Sequence, residues 1–358
     1  MDVSFTAEQE MLRETAASLA QRIGPDTPHD LDDAAASEAA AKHWSMLADA
    51  GLLGLGVPTA SGGGGASAVE VMIVAEALAR RVAVVPYVGV TLALDLLVAA
   101  GADGDLIASV ATGERRVTVA LDAGLRDLAT VGALDGAVAW DAAGAEAALV
   151  LDGDGTLVAV PVDGDGRRLD GADLTRSLVR LGGGRERVTS ELRALGQPLD
   201  AGALTRWRAL ALSLLAADIV GAMDGTLTAA VEYSKERVQF DTRIGAFQAV
   251  QHLCADAYVL LEGSRSATWY AAWAVDAEAP DRALLAARTA KAFASQSGVS
   301  VAETSIQVHG GVAITWEYMP HVFLRRIMLD RVTLGTETRQ LQAIAAERRA
   351  RAGPREAA

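Results

Sequence analysis

The stretch ERVQFDTRIGAFQAVQH at residues 236–252 combines side chains that can reach a ligand with aromatic anchors. It carries two arginines, three glutamines and a histidine beside two phenylalanines, in a chain that is only 4% aromatic. We predict that Arg237 and Phe240, three residues apart, share one face of a helix. After a turn at DTRIG, Phe247 and Gln248 are expected to open the next helix. A guanidinium beside an aromatic ring and an amide, near a helix start, suits a diphosphate and a base ring.

A second cluster, QVHGGVAITWEY at residues 307–318, places Gln307 just before a pair of glycines. Gly310 and Gly311 lack a Cβ, so that another backbone or a ligand can come close. Helix capping and packing explain either cluster equally well when it is taken alone. The presence of both clusters in one helical region, about 60 residues apart, favours a shared binding role.

Composition excludes several classes of protein. At 358 residues, the chain is long enough for two or three domains or for one large helical domain. The formal net charge of −14 disfavours nucleic acid as a partner, because phosphate binding needs a basic surface. The single cysteine, Cys254, excludes an intrachain disulfide and a cysteine-built metal site, and we expect no metal site. No long uncharged apolar run or signal-peptide pattern is present, so we expect a cytoplasmic protein without membrane contact.

The hydrophobic pattern of the sequence changes twice along its length. Helical apolar spacing dominates both ends, and Thr6 with Gln9 forms a capping-box pattern near the first helix. The middle switches to short β-type runs between Gly and Asp turn signals, with Trp140 as its only aromatic residue. The predicted fold class is α+β multidomain. We predict an N-terminal helical domain, a middle β-domain, a C-terminal helical bundle and an unstructured tail at residues 1–113, 114–197, 198–350 and 351–358.

The two clusters resemble the sequence patterns of the acyl-CoA dehydrogenase family. The family pattern R-x-x-F-G-x-x-[I]-x-x-[FH]-Q-x-x-Q-H-x-x-A-D is met by Arg237, Phe240, Ile244, Phe247, Gln248, Gln251, His252, Ala255 and Asp256. The second pattern, Q-x-x-G-G-x-G-x-x-x-E-Y, is met by Gln307, Gly310, Gly311, Glu317 and Tyr318. Asp241 and Ala313 stand where the two patterns have glycine. Because the N-terminal helices and the helix–sheet–helix order also match, the resemblance covers nearly the whole chain.

The resemblance implies an acyl-CoA dehydrogenase-like fold that ends in a four-helix bundle, FAD as cofactor, and dehydrogenation of an acyl-CoA thioester. It further implies that both patterns reach across a subunit interface to the ADP half of an FAD whose ring lies in the neighbouring subunit. The residues that it assigns to this contact are Arg237, Phe240, Ile244, Phe247, Gln248, Gln307, Gly310 and Gly311. The implied partners are the acyl-CoA thioester and a homologous dehydrogenase subunit, or else a second copy of this chain.

The family's reaction removes a proton from Cα, which requires a carboxylate base. By the resemblance, that glutamate lies either in a Y-E-G-T-type segment or 26 residues before the motif arginine. Those two positions hold Leu334 and Ala211 here. Glu337, three residues past Leu334, is a weak substitute, and the catalytic residue stays unknown. Two carboxylates of the predicted bundle, Asp218 and Asp224, are expected to be solvated or to cap a helix.

The flavin-ring side of the family pattern is also altered. The segment VALDAGLRDL at residues 119–128 stands where the family has a T-E-P-x-A-G-S-D pattern. Trp140 is either a remnant of the family's W-x-T strand, which lines the flavin ring, or an ordinary packed tryptophan.

Three hypotheses remain open at this point. The favoured one is a base-less, FAD-associated subunit of a heteromeric acyl-CoA dehydrogenase. The second is a self-sufficient homomeric enzyme with a relocated base, and the third is a non-enzymatic scaffold that keeps the fold. Similar subunits that end in a TWE…LRR pattern occur in bacterial degradation of steroid side chains, and this chain has TWEYMPHVFLRRI at residues 315–327.

Overall fold

The computed structural model of the chain describes residues 5–31, 33–162, 167–169, 171–181 and 194–352. Its first part is helical, with α1 to α5 at Ala7–Ile23, Asp33–Asp49, Ala68–Arg80, Tyr87–Ala99 and Gly104–Ala111. The predicted capping box is confirmed. Thr6 Oγ1 accepts from the Gln9 N–H at 3.2 Å, and Gln9 Oε1 accepts from the Thr6 N–H at 3.0 Å. These two bonds satisfy N–H groups that the start of α1 would otherwise leave without partners.

A six-stranded sheet forms the middle of the described chain, in the spatial order β4-β3-β1-β2-β6-β5. Its strands β1 to β6 span Val117–Leu121, Val138–Trp140, Ala147–Leu151, Leu157–Pro161, Arg167–Arg168 and Val179–Arg180. The central strand β1 is buried along its whole length, pairs antiparallel with β2 and parallel with β3, and packs against α4. Gly89 permits this close packing, because a Cβ there would lie 2.6 Å from Thr118 Oγ1.

The last part is a helical bundle. Its helices α6 to α10 span Ala201–Glu236, Gln248–Ala277, Pro280–His309, Pro320–Val332 and Glu337–Ala352. α6 is the central helix and packs against α3, α7, α8 and α9. A Cβ on Gly221 or Gly225 would lie 2.2 Å from a backbone oxygen of α3, so glycine at both positions lets the two helices meet. The predicted helix–sheet–helix order is confirmed, whereas the domain boundaries stay a prediction. Residues 353–358 of the predicted tail lie outside the described residues.

α6 is long and apolar enough to cross a membrane, judged by length and composition. In the described fold, however, 89% of its most apolar 18-residue window is buried. The apolar surface of α6 is therefore covered by the helices that pack around it, as in the central helix of a globular bundle.

The helix predicted to carry both Arg237 and Phe240 ends before them, so that prediction was wrong. α6 ends at Glu236, and Arg237 has extended backbone with φ −67° and ψ 123°. The chain then forms a hairpin from β7 and β8, Val238–Gln239 and Thr242–Arg243, closed by a 2.9 Å bond from the Ile244 N–H to the Arg237 carbonyl. The alternation in VQFDTRI satisfies a hairpin as well as a helix, and its two-residue turn lacks the glycine or asparagine that signals such turns. The next helix does begin at Gln248, as predicted.

Candidate functional site

The hairpin segment, residues 237–248, presents its side chains to solvent. Phe240 is 90% exposed, and both Phe240 and Asp241 have left-handed backbone, with φ of 54° and 60°. A two-residue turn of this kind favours glycine or asparagine, because a larger side chain is crowded by its own backbone. The exposed aromatic side chain held in a disfavoured conformation makes Phe240 a candidate for a functional contact.

The start of α7 extends this surface. Phe247 precedes the helix, and its ring meets the edge of the Phe240 ring at a centroid distance of 6.4 Å. Gln248 is exposed in the first turn of α7, where unpaired N–H groups attract an anion. Ile244 lies half-buried beneath. Gln251 Nε2 donates to the Gly245 carbonyl at 2.9 Å and so fixes the loop between hairpin and helix.

The end of α8, Gln307–Gly311, is open in the same way. Gln307 is exposed in the last turn of the helix, and Gly310 has a φ of 70°. A Cβ placed on Gly310 or Gly311 would meet nothing within 4 Å. The backbone of both glycines is therefore accessible to an approaching molecule.

Tyr233, in the last turn of α6, brings the hairpin segment and the end of α8 to one corner of the bundle. Its carbonyl accepts from the Arg237 N–H at 2.9 Å, where the hairpin segment begins. Its ring stacks on His309 with a centroid distance of 4.5 Å and an interplanar angle of 23°. The structure thus groups the residues of both sequence patterns, and we call the hairpin segment and Gln307–Gly311 together the exposed clamp.

The two positions at which the family carries its base are apolar and enclosed. Ala211 on α6 and Leu334 after α9 are 0% and 2% exposed within the core. Leu334 has a φ of 56°, its N–H donates to the Leu125 carbonyl at 2.7 Å, and its carbonyl accepts from Gln340 Nε2 at 2.7 Å. The turn is therefore held in place around a side chain that cannot take up a proton.

Glu337, the weak substitute, is engaged elsewhere. Its carboxylate accepts from Arg331 Nε at 2.8 Å and from Arg331 Nη2 at 2.5 Å. These hydrogen bonds hold the pKa of Glu337 below its usual range. A carboxylate with a lowered pKa and an arginine across both oxygens is a poor proton acceptor.

The loop after β1, residues 122–128, is tied to the bundle. Arg208 on α6 pairs with Asp127 and donates from Nη2 to the Arg126 carbonyl at 2.9 Å. Arg339 on α10 also reaches Asp127, at 3.4 Å. Together with the bond from Leu334, these contacts hold the loop against the turn that contains Leu334. The altered flavin-side pattern thus coincides with a loop that contacts the bundle directly.

A group of buried charges, which we call the ionic junction, links the sheet to the bundle. Its members are Asp141, Arg176, Asp218, Arg326 and Asp330. Arg176 Nη2 lies 2.7 Å from Asp218 and 3.3 Å from Asp330, and its Nη1 lies 3.1 Å from Asp141. Arg326 donates to Asp218 from Nε at 2.8 Å and from Nη2 at 2.9 Å. All five side chains are at most 3% exposed.

The surroundings shift the pKa values of the junction's carboxyl groups in opposite directions. Burial raises the pKa of Asp330 well above its usual range, and burial likewise raises that of Asp141. Burial also acts on Asp218, but the Arg176 and Arg326 guanidinium groups outweigh it and hold the pKa of Asp218 below its usual range.

Sequence reasoning did not identify the ionic junction. It expected Asp218 to be solvated or to cap a helix, and this was wrong, because Asp218 is 1% exposed in the middle of α6. The available signal was its position inside the apolar run LLAADIV, which places a carboxylate on a buried stripe. Asp224 is less enclosed and pairs with Arg265 at 2.9 Å.

Trp140 is the sheet's contact with this junction. The residue is 1% exposed, and the Arg176 guanidinium carbon lies 4.4 Å from its ring centroid. The cation covers the face of the ring, as in other desolvated cation–π pairs. Trp140 is therefore a packed residue whose ring face is occupied by an arginine of the same chain.

Lys291, on α8, supports the turn that contains Leu334. It is completely buried, and its Nζ lies 3.1 Å from the Arg331 carbonyl and 3.4 Å from the Gly335 carbonyl. Burial lowers the pKa of Lys291 to about 8. The ammonium binds carbonyls that the end of α9 would otherwise leave without partners.

Profiles of two domains match the chain. The acyl-CoA dehydrogenase N-terminal domain matches residues 6–104, and the acyl-CoA dehydrogenase C-terminal domain matches residues 210–348. The acyl-CoA dehydrogenase IpdE2 of Mycobacterium tuberculosis is 32% identical over 324 residues, which cover 89% of this chain and 90% of that protein. IpdE2 of Mycolicibacterium smegmatis is 29% identical over 96% of this chain and 99% of its own length.

Solved structures agree with these matches. The Tcur3481–Tcur3483 steroid ACAD is 27% identical with a TM-score of 0.81, over 97% of this chain and 99% of that chain. The ChsE4–ChsE5 complex of Mycobacterium tuberculosis is 26% identical with a TM-score of 0.77, over 97% and 98%. Both the domain profiles and the relatives cover the segments that carry the exposed clamp. The chain therefore belongs to the acyl-CoA dehydrogenase family of flavoprotein oxidoreductases.

Proposed function

We propose that this chain is an FAD-associated subunit of a heteromeric acyl-CoA dehydrogenase that lacks a catalytic base of its own. In this proposal it supplies contacts to the ADP half of an FAD whose reactive ring belongs to a partner subunit. The observation that carries the proposal is Leu334, which is 2% exposed at the position of the base, while Phe240 of the exposed clamp is 90% exposed.

Proton removal from Cα needs a carboxylate within about 2.6–3.2 Å of that proton. Neither Leu334 nor Ala211 can accept a proton, and Glu337 is held by both nitrogen atoms of the Arg331 fork. The closed loop at residues 122–128 also contacts this position directly. The base for the acyl-CoA thioester therefore comes from the partner subunit in this proposal.

The residues of the exposed clamp fit the adenosine diphosphate half of FAD. Arg237 would pair with the diphosphate beside the N-terminus of α7, and the Phe240 and Phe247 rings would stack on the adenine. The amides of Gln248 and Gln307 would donate to the same half, with Ile244 beneath them. Gly310 and Gly311 would let the ligand approach the backbone, because a Cβ on either has open space around it. When bound, FAD supplies the acceptor for the hydride from Cβ.

The surface around the exposed clamp suits a homologous dehydrogenase subunit. Val238, Phe240, Tyr258 and Val259 are 51%, 90%, 57% and 69% exposed. An apolar patch of this kind on one side of a bundle marks a protein contact. Two similar structures, Tcur3481–Tcur3483 and ChsE4–ChsE5, are pairs of dehydrogenase subunits. A homo-oligomer of this chain is the alternative that purification would reveal.

The substrate that we propose is an acyl-CoA thioester with a steroid-derived acyl group, handled in the cytoplasm. Its support is the likeness to the Tcur3481–Tcur3483 steroid ACAD, at 27% identity over nearly the full length of both chains.

The test uses this chain purified with a glutamate-bearing acyl-CoA dehydrogenase subunit of the same organism. Arg237→Gln should lower the FAD affinity of the complex at least about tenfold, because a bidentate cation–diphosphate contact is lost. Arg13→Gln, an exposed arginine on α1, is the matched control and should change nothing. Acyl-CoA-dependent dye reduction by this chain alone, at the rate of the complex, would refute the proposal.

A further inference from the structure

We infer that Arg176 takes the place of a flavin ring against Trp140, and that the ionic junction holds the sheet on the bundle without a cofactor. The inference deepens the proposed function and rests on its assignment of the flavin to the partner subunit. In this inference, Arg176 and the other members of the ionic junction close the flavin-ring position of this chain. The ADP half of FAD fits the exposed clamp, but the ring does not fit here.

The first step is the occupation of the Trp140 face. The Arg176 guanidinium carbon lies 4.4 Å from the centroid of that ring. A guanidinium at this distance already lies in contact with the ring face, so no flavin ring enters between them. A flavin ring could reach this face of Trp140 only if Arg176 moved away.

The second step is the consequence of such a movement. Arg176 contacts Asp141, Asp218 and Asp330, all within 3.3 Å, and its side chain is 0% exposed. Moving the Arg176 guanidinium away would leave Arg326 as the only guanidinium among the buried carboxyl groups of the junction. A buried charge without its counter-ion is strongly unfavourable, whereas a flavin ring carries no cation that could replace the arginine.

The third step is the connection between domains. Trp140 ends β2, Arg176 precedes β6, Asp218 lies in α6, and Arg326 and Asp330 lie in α9. Arg326 Nη1 also donates to Thr175 Oγ1 at 2.7 Å, next to Arg176 in the chain. The junction thus joins the sheet to two bundle helices through buried bonds. The sheet has its own attachment to the bundle and needs no ligand between them.

The experiment tests the two halves of FAD with two separate ligands. The chain alone is unfolded in urea with no ligand, with ADP and with FMN, which carries the ring without the adenosine half. The inference predicts that the chain is folded without flavin and that FMN leaves its urea midpoint unchanged. A clear rise of the midpoint with FMN would overturn it. A rise with ADP reports on the exposed clamp, so that its absence would count against the proposed function and not against this inference.

A variant tests the attachment itself. Arg176→Met should raise the unfolding equilibrium constant at least about 100-fold, because it leaves buried carboxylates uncompensated. The control, Arg115→Met, removes an arginine of the same sheet region that pairs with Glu146 at the surface and is 46% exposed. Should Arg176→Met prove too unstable to purify, Arg176→Lys is the second variant, because lysine keeps the charge but not the planar guanidinium. Its unfolding equilibrium constant should rise less than that of Arg176→Met but more than that of Arg115→Met. Equal urea midpoints for Arg176→Met and Arg115→Met would refute the inference.

Discussion

Arg176 and Arg237 show how two arginines in one chain can have opposite roles. Arg176 is completely buried, meets three carboxylates and stacks on Trp140. Arg237 is exposed beside a strained turn. The buried guanidinium is paired with carboxyl groups of the same chain, and its removal should destabilise the fold. The exposed one is the residue that we propose for a ligand, and its removal should damage binding alone. Under the proposed function, the difference means that this chain keeps one half of a cofactor site open and closes the other with its own side chains.

The largest expected effect is the loss of the ionic junction's central carboxylate. Asp218 accepts from Arg176 and twice from Arg326, at 2.7, 2.8 and 2.9 Å. Asp218→Asn should therefore lower the free energy of unfolding by about 3–5 kcal/mol, as measured by urea denaturation. Glu232→Gln, which breaks the exposed pair with Lys235, should cost less than about 1 kcal/mol. Equal losses of unfolding free energy for Asp218→Asn and Glu232→Gln would contradict the claim that the buried ionic junction stabilises the fold more than an exposed ion pair does.

The second effect concerns the exposed clamp. Phe240→Ala should weaken assembly with the partner subunit by about 2 kcal/mol or more, because it removes a 90% exposed aromatic anchor. The urea midpoint of the isolated chain should stay unchanged, because the side chain has little contact with its own fold. Assembly is measured by sedimentation of the mixed subunits, with Met11→Ala, another exposed apolar side chain, as control. Loss of stability without loss of assembly would contradict a binding role.

A pH titration tests the burial of Lys291, which supports the turn that contains Leu334. The folded-state pKa of Lys291, about 8, lies below its ordinary value of 10.5. Between pH 8 and 10.5 the unfolded chain therefore binds a proton that the folded chain has released, and the free energy of unfolding rises with pH. The contribution of Lys291 across this window should be about 3 kcal/mol. The measured quantity is the difference between wild type and Lys291→Met, which cancels other titrating groups. Parallel pH profiles would show that the ammonium is not buried as described.

The smallest effect is relief of strain at the hairpin. Asp241 has a φ of 60°, which glycine adopts readily. Asp241→Gly should stabilise the folded chain by up to about 1 kcal/mol in thermal unfolding, because the left-handed backbone no longer crowds a side chain. A destabilised variant would show that the carboxylate makes a contact that offsets the strain.

The fold and the residues of the exposed clamp could be predicted from local patterns and the family resemblance, whereas the hairpin and the ionic junction could not. Helical spacing, the Thr6 capping box and the start of α7 at Gln248 follow from neighbouring residues, and all are present. Leu334 could be recognised as an unusual residue at the family's base position only through the resemblance to the family. The hairpin was missed, because its turn residues, Phe240 and Asp241, are not the Asn-Gly or Asp-Gly pair that is typical of a two-residue hairpin turn.

The ionic junction escaped prediction for a different reason. Asp141, Arg176 and Asp218 come from segments far apart in the sequence, and only packing of the sheet on the bundle brings them together. A single buried charge has no local signature beyond its place in an apolar run. The pairing of charges across two domains is a property of tertiary structure.

The measurement that tests the central claim most directly is the flavin absorbance of the purified chain, alone and after co-expression with a glutamate-bearing dehydrogenase subunit. We predict no flavin band in the chain alone and one FAD per pair of subunits in the complex. A full flavin band in the chain alone would contradict the account, because the chain would then hold the ring in its own half of the site.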